Sequence, residues 1–229
     1  MVDFTENDGL TKPLCFGMDV TEIIRLRFVF GEYGMKCLVM SLLSLMVVPL
    51  SSMAASEEKI ENLAVNPGFE DPASAEEGVM PSDWITFTSK GVYIELDREL
   101  KRNGEQAVKM TTQHVVDGYQ GLSQKLPVTE GEKYTFSAFI ISDKRDPLGG
   151  TGHFQLVIEW HNDAGKEIGR KYSPVYDSSI SKLRWDSAVI RNEQVPAGAT
   201  LAIFGLHLSE GKKGGKGAIL VDDVLIQRQ

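Results

Sequence analysis

The side chains in this sequence best equipped for chemistry are a handful of carboxylates, imidazoles and rings set in short alternating segments. Glu95 and Asp97 lie two residues apart, on one face of a strand, and Glu159 sits on the polar face of another. Two carboxylates across a scissile bond could hydrolyse a glycoside, but their separation in space is not written in the sequence. Other catalytic signatures do not occur: there is no nucleophile elbow, no HExxH and no phosphate loop. The glycine-rich stretch Gly211 to Gly217 lacks the GK[ST] ending and any helix after it, so its lysines read as solvated turn residues. Both cysteines, Cys15 and Cys37, fall within the first 40 residues, which leaves no disulfide framework or zinc cluster downstream.

Composition narrows the partners. The 229 residues are 42% hydrophobic and 24% charged, an ordinary globular composition, and the net charge of −8 argues against neutralising a nucleic-acid backbone, so no nucleic-acid partner is expected. Cys37 to Leu50 (CLVMSLLSLMVVPL) is an apolar run too short to span a bilayer comfortably, preceded by Lys36 and followed by small residues through Ala54 and Ala55. Residues 35–55 therefore read as a signal peptide, with residues 1–34 a mis-assigned or extra N-terminal extension and Met35 the expected start. Residues 56–229 are the expected mature domain, secreted or periplasmic, with no transmembrane segment.

That domain must be built of strands. Short apolar segments rich in β-branched and aromatic residues alternate with Gly, Pro, Asn and Asp clusters, and no long helical period occurs, which predicts an all-β antiparallel sandwich of roughly eight to eleven strands. From Phe154 to His161 the residues Phe154, Leu156, Ile158 and Trp160 alternate with Gln155, Val157, Glu159 and His161, so one face is core and the other mostly polar. Lys133 to Ser142 alternates likewise, with Tyr134 and Phe136 opposite Phe139. Thr200 to Leu208 and Ala218 to Ile226 read as a closing pair joined by a hairpin loop over Gly211 to Gly217.

Four motifs occur in order along this region: Asn62 to Glu70 (NLAVNPGFE), Pro81-Ser82-Asp83-Trp84, Gly131 to Ala138 (GEKYTFSA) and Val221-Asp222-Asp223-Val224. In order and spacing they resemble carbohydrate-binding modules of families 4 and 9, over residues 60–228. The resemblance implies a galactose-binding-like β-jelly-roll that binds polysaccharide or oligosaccharide without catalysis. It further implies a structural Ca²⁺ tying the chain ends, held by Glu70 and Asp222 with loop carbonyls completing the six to eight oxygens such an ion takes. Trp84 and Trp185 stand where the family buries an aromatic.

A sugar site needs rings to cover apolar pyranose faces and polar groups to replace water at the hydroxyls. On strands, these must come from the face opposite the core. Gln155, Glu159, Phe139 and His207 meet that condition and are expected to floor a groove. Tyr119 and Gln120, in the loop Asp117 to Gly121 where the family presents a stacking ring, are expected beside it. Two other functions stay open: a structural or adhesive envelope protein, and a hydrolase or lyase on the same scaffold. For the lyase, Gln113-His114-Val115 has the wrong order and the companion motifs are absent. Such modules are usually appended to an enzyme and this sequence carries none, so targeting of a separate glycoside hydrolase, glycan sensing and envelope decoration all remain open.

Overall fold

Alternation at period two turns the mature sequence into strands, and the computed structural model describes them over residues 61–73, 78–89 and 93–229. The expected extension over 1–34 and signal peptide over 35–55 lie outside the described residues. The strands are β1 (Ile85–Thr88), β2 (Ile94–Asp97), β3 (Ala107–Thr111), β4 (Tyr119–Pro127), β5 (Lys133–Ser142), β6 (Gly149–Gly150), β7 (His153–His161), β8 (Glu167–Tyr172), β9 (Asp186–Gln194), β10 (Leu201–Ser209), β11 (Gly215–Lys216) and β12 (Ala218–Arg228). All named strand pairs are antiparallel, and among the described residues there is no helix.

Two five-stranded sheets face each other, β1-β4-β10-β7-β8 and β2-β3-β12-β5-β9, with β6 and β11 forming a small clip. The fold class is thus an all-β antiparallel sandwich. Their inner faces supply the core: Phe154, Leu156, Ile158 and Trp160 of β7 and Ala202, Phe204, Leu206 and Leu208 of β10 meet Phe136, Ala138, Ile140, Val221 and Ile226 from the other sheet. Phe204 sits between Tyr134 and Phe136 at 5.7 and 5.4 Å, the tilted and edge-on geometries that aromatic quadrupoles favour. Burying each such side chain contributes about 2–3 kcal/mol.

One expectation about topology is corrected. The last two long strands do not pair with each other: β10 is the central strand of one sheet and β12 of the other. Both are almost wholly buried on their inner faces, and each gains more by flanking strands on both sides than by a hairpin at a sheet edge. The glycine-rich segment between them crosses from sheet to sheet, and Gly215 and Lys216 pair with Gly150 and Gly149 on the way.

The first motif closes the open end of the sandwich. Asn62 accepts from the Ile226 N–H at 3.0 Å and donates to the Val224 carbonyl at 2.8 Å, lacing the start of the domain to β12. The Asn66-Pro67-Gly68-Phe69 turn needs the left-handed backbone at Asn66 and Phe69, and its Phe69 ring is fully buried 5.2 Å from Trp84. Trp84 is buried and donates its Nε1–H to the Asn66 carbonyl at 3.1 Å, as a structural tryptophan should; Trp185 is only half-buried.

Candidate functional site

The outer face of the first sheet carries a groove of about 400 Å³. Strand register places its parts. On β10 the outward residues are Ile203, Gly205 and His207; Gly205 lies between Ser123 of β4 and Val157 of β7, His207 between Gly121 and Gln155, and Ile203 beside Glu159. The floor is low because Gly205 and Ser123 are small. Residues alternating with the core thus line the groove, as the pleat demands.

One wall is aromatic. His207 lies 5.6 Å from both Phe87 and Tyr119, edge-on to each, and Phe87 and Tyr119 are 6.5 Å apart. Phe87 folds over Gly121, where a Cβ would overlap its ring and the Leu206 carbonyl oxygen. Tyr119 stays 42% exposed, a ring with one open face, while its backbone is pinned by reciprocal hydrogen bonds with Ser89. The His207 imidazole is pushed down to about 4, chiefly by burial and then by electrostatic repulsion from the His153 and Arg170 side chains nearby, so it is neutral at physiological pH. Its Nε2 is buried and has no hydrogen-bond partner among the described residues. A polar atom buried in this way has neither water nor a partner, and that is costly to the fold.

The opposite wall is charged and internally balanced. Arg170 of β8 bonds Glu159 at 2.9 Å, forks onto Glu167 at 2.9 and 2.8 Å, and donates to the Tyr172 hydroxyl at 2.8 Å. The Glu167 hydrogen bonds hold its guanidinium in the charged form more firmly than usual. His161 adds a contact of 3.4 Å to Glu159. Gln155, next to His207 in register, donates its amide to the Ser173 carbonyl at 2.9 Å.

Tyr119, Glu159 and His207 therefore line one groove and Gln155 borders it, while two expected residues do not belong there. Gln120 is corrected because the chain at Tyr119 is already strand: β4 starts there, and in a pleat only one of two consecutive side chains can face out. Gln120 points inward, 2% exposed, accepting from the Tyr93 N–H at 2.7 Å and donating to the Thr111 carbonyl. Phe139 is corrected because β5 belongs to the other sheet. It faces outward from the far side of the sandwich, with the Arg102 guanidinium 3.5 Å above its ring. Phe87 and Arg170 were missed; their signals were the alternation in Ile85-Thr86-Phe87-Thr88 and the Glu167-x-x-Arg170-x-Tyr172 spacing.

Glu70 and Asp222 meet at the closed end. A Cβ added at Gly68 would lie 3.8 Å from Glu70 Oε1 and 3.9 Å from Asp222 Oδ1, so both carboxylates surround one point. Glu70 fits only because Gly104 has no Cβ, and it accepts from the Glu105 N–H at 3.1 Å. Asp222 is fully buried and its carboxyl is pushed up to about 6 by burial, against backbone donors from Arg102, Asn103 and Asp223 that act the other way. Close by, the Gln106 amide donates to the Phe69 and Pro72 carbonyls while its own buried Oε1 has no partner among the described residues. A hard oxygen set with an orphaned acceptor suits Ca²⁺. No group of three or more His, Cys, Asp or Glu side chains converges among the described residues, so amide and backbone oxygens would have to complete such a shell.

No protein-family model and no curated protein matches the chain. Among solved structures, the enzymatically active domain of bacteriophage CBA120 tailspike protein 4 is similar with a TM-score of 0.50 at 14% identity, over 73% of this chain and 21% of that one. An arabinose-bound family GH51 α-L-arabinofuranosidase also gives 0.50, at 11% identity over 74% and 26%. A family 61 carbohydrate-binding module in complex with β-1,4-galactotriose gives 0.48 at 19% identity, over 74% of this chain and 99% of the module. At these identities the likeness concerns the fold alone.

Proposed function

We propose that this chain binds polysaccharide or oligosaccharide in the groove and does not break it. The observation that carries the reading is the open Tyr119 ring set edge-on to His207, facing a polar wall across a low floor. A pyranose offers what that arrangement requires: an apolar face for the ring, and hydroxyls for the Glu159 and Gln155 side. Hydrolysis is disfavoured because Glu159 is the one carboxylate among the described residues that line the groove, and it is already engaged by Arg170. The finer assignment to families 4 and 9 rests on the four sequence motifs.

Glu70, Asp222 and Gln106 Oε1 are the side-chain oxygens that would hold a structural Ca²⁺, whose charge would neutralise the buried Asp222 and brace the chain ends. Export to the periplasm or medium through residues 35–55 belongs to the same proposal and is supported by the sequence alone. So does service to a separate glycoside hydrolase.

Affinity electrophoresis of the full chain in gels containing xylan, β-glucan or galactan tests the reading. Retardation by one of them that Tyr119→Ala removes supports it. Release of shortened sugars would move the protein to the enzymes, and indifference to every polysaccharide would favour the structural or adhesive alternative.

A further inference from the structure

Beyond the groove, one row of outward residues runs in register across all five strands of the sheet. Tyr172 pairs with Val157, Val157 with Gly205, Gly205 with Ser123, and Ser123 with Ile85. Four inter-strand steps make this line about 19 Å long. Its two ends are open, with Tyr172 39% and Ile85 52% exposed. Past Ile85 lies a second hollow of about 260 Å³, on which Val65 is 55% exposed. Asp83 and Lys125 flank these aliphatic chains, and among the described residues the Lys125 ammonium has no partner.

The hollow is rigidly built. Gln124 clamps the Val65 backbone, accepting its N–H at 3.1 Å and donating to its carbonyl at 2.6 Å, and Asn66 donates to the Ser82 carbonyl at 3.1 Å just before Asp83. A surface pre-ordered in this way binds without having to be immobilised first. Its pattern, two aliphatic side chains between one donor and one acceptor, suits a sugar ring lying on its apolar face with hydroxyls at the rim.

We propose that the hollow formed by Val65, Ile85, Asp83 and Lys125 is a second glycan subsite, occupied by the continuation of the same linear polysaccharide that crosses the groove. The proposal rests on the carbohydrate reading above. It assigns the ligand to several linked sugar units, since a mono- or disaccharide held in the groove would leave the hollow bare. Continuity of the register row from Gly205 through Ser123 to Ile85 is what commits the hollow to this occupant.

Titration calorimetry of the full chain with β-1,4-linked galacto-, xylo- and cello-oligosaccharides, from di- to hexasaccharide, tests it. Affinity should rise between tri- and hexasaccharide of the preferred series. Val65→Asp should weaken the hexasaccharide about fivefold to tenfold and leave the trisaccharide unchanged. Lys125→Ser should act in the same direction, and Tyr119→Ala should weaken both lengths. A hexasaccharide that binds no better than a trisaccharide, or one indifferent to both hollow variants, overturns the subsite while leaving the groove intact. If Val65→Asp alters only self-association in sedimentation, the hollow is an interface between copies and the subsite is refuted. Failure of the unaltered chain to bind any oligosaccharide removes the carbohydrate reading and the subsite with it.

Discussion

Replacing His207 with Leu should make the protein more stable, most of all in acid. The imidazole Nε2 is buried without a partner, and leaving such an atom unpaired costs about 1–3 kcal/mol, so its removal should stabilise the fold by about 1 kcal/mol at pH 7. A second effect depends on pH. The folded imidazole titrates near 4 and the free side chain near 6.5, so well above pH 6.5 neither state is protonated and the group contributes no pH dependence. As pH falls from 6.5 toward 4, the unfolded chain takes up a proton that the folded one refuses, and stability is lost: about 1.4 kcal/mol by pH 5.5 and about 3 kcal/mol by pH 4, both upper bounds. His153 and Arg170 face this imidazole and reinforce the refusal. Urea unfolding of both proteins at pH 7, 5.5 and 4 measures the difference, in which titrating groups remote from the imidazole cancel. The stability gap should widen steadily toward acid. Parallel stability curves for the two proteins would refute the reasoning, because the imidazole would then be as easily charged in the fold as outside it.

Tyr119→Ala should weaken glycan binding at least about tenfold with little change in melting temperature, since the ring is part exposed, whereas Phe139→Ala should leave binding untouched. Binding loss in the Phe139 variant would contradict the placement of that ring under Arg102 on the far sheet. Gln120→Ala strips partners from the Tyr93 N–H and the Thr111 carbonyl and should cost about 2 kcal/mol in chemical denaturation, with the affinity of the folded fraction unaltered. Ca²⁺ at about a hundred times its dissociation constant should raise stability by about 2.7 kcal/mol, and a chelator should reverse the gain. A melting temperature indifferent to both would strike the ion from the assignment to Glu70 and Asp222.

Much of the fold was legible in the residues themselves. The alternation in Phe154 to His161 and in Leu201 to Leu208 marks which side chains enter a core and which face out, because a pleat turns consecutive side chains to opposite faces whatever surrounds the strand. The same rule, applied strictly, separates Tyr119 from Gln120, once β4 is known to begin at Tyr119 rather than after a loop. The turn residues of Asn66-Pro67-Gly68 likewise mark a sharp bend before any contact is known.

Facing outward does not say outward from where. Phe139 and Gln155 read alike along the chain, yet one looks out from each side of the sandwich, and β10 and β12, close in sequence, lie at the centres of different sheets. Strand pairing is made by backbone N–H and C=O groups that are the same in every strand, so side-chain pattern carries little information about which strands become neighbours. Only the assembled sheets bring Phe87 of β1 and Arg170 of β8 toward His207, from segments more than eighty residues apart. Side-chain alternation sets the strands and their inner faces; the groove, the charge-balanced wall and the row leading to Val65 come from tertiary packing, which alone selects among equivalent backbone partners.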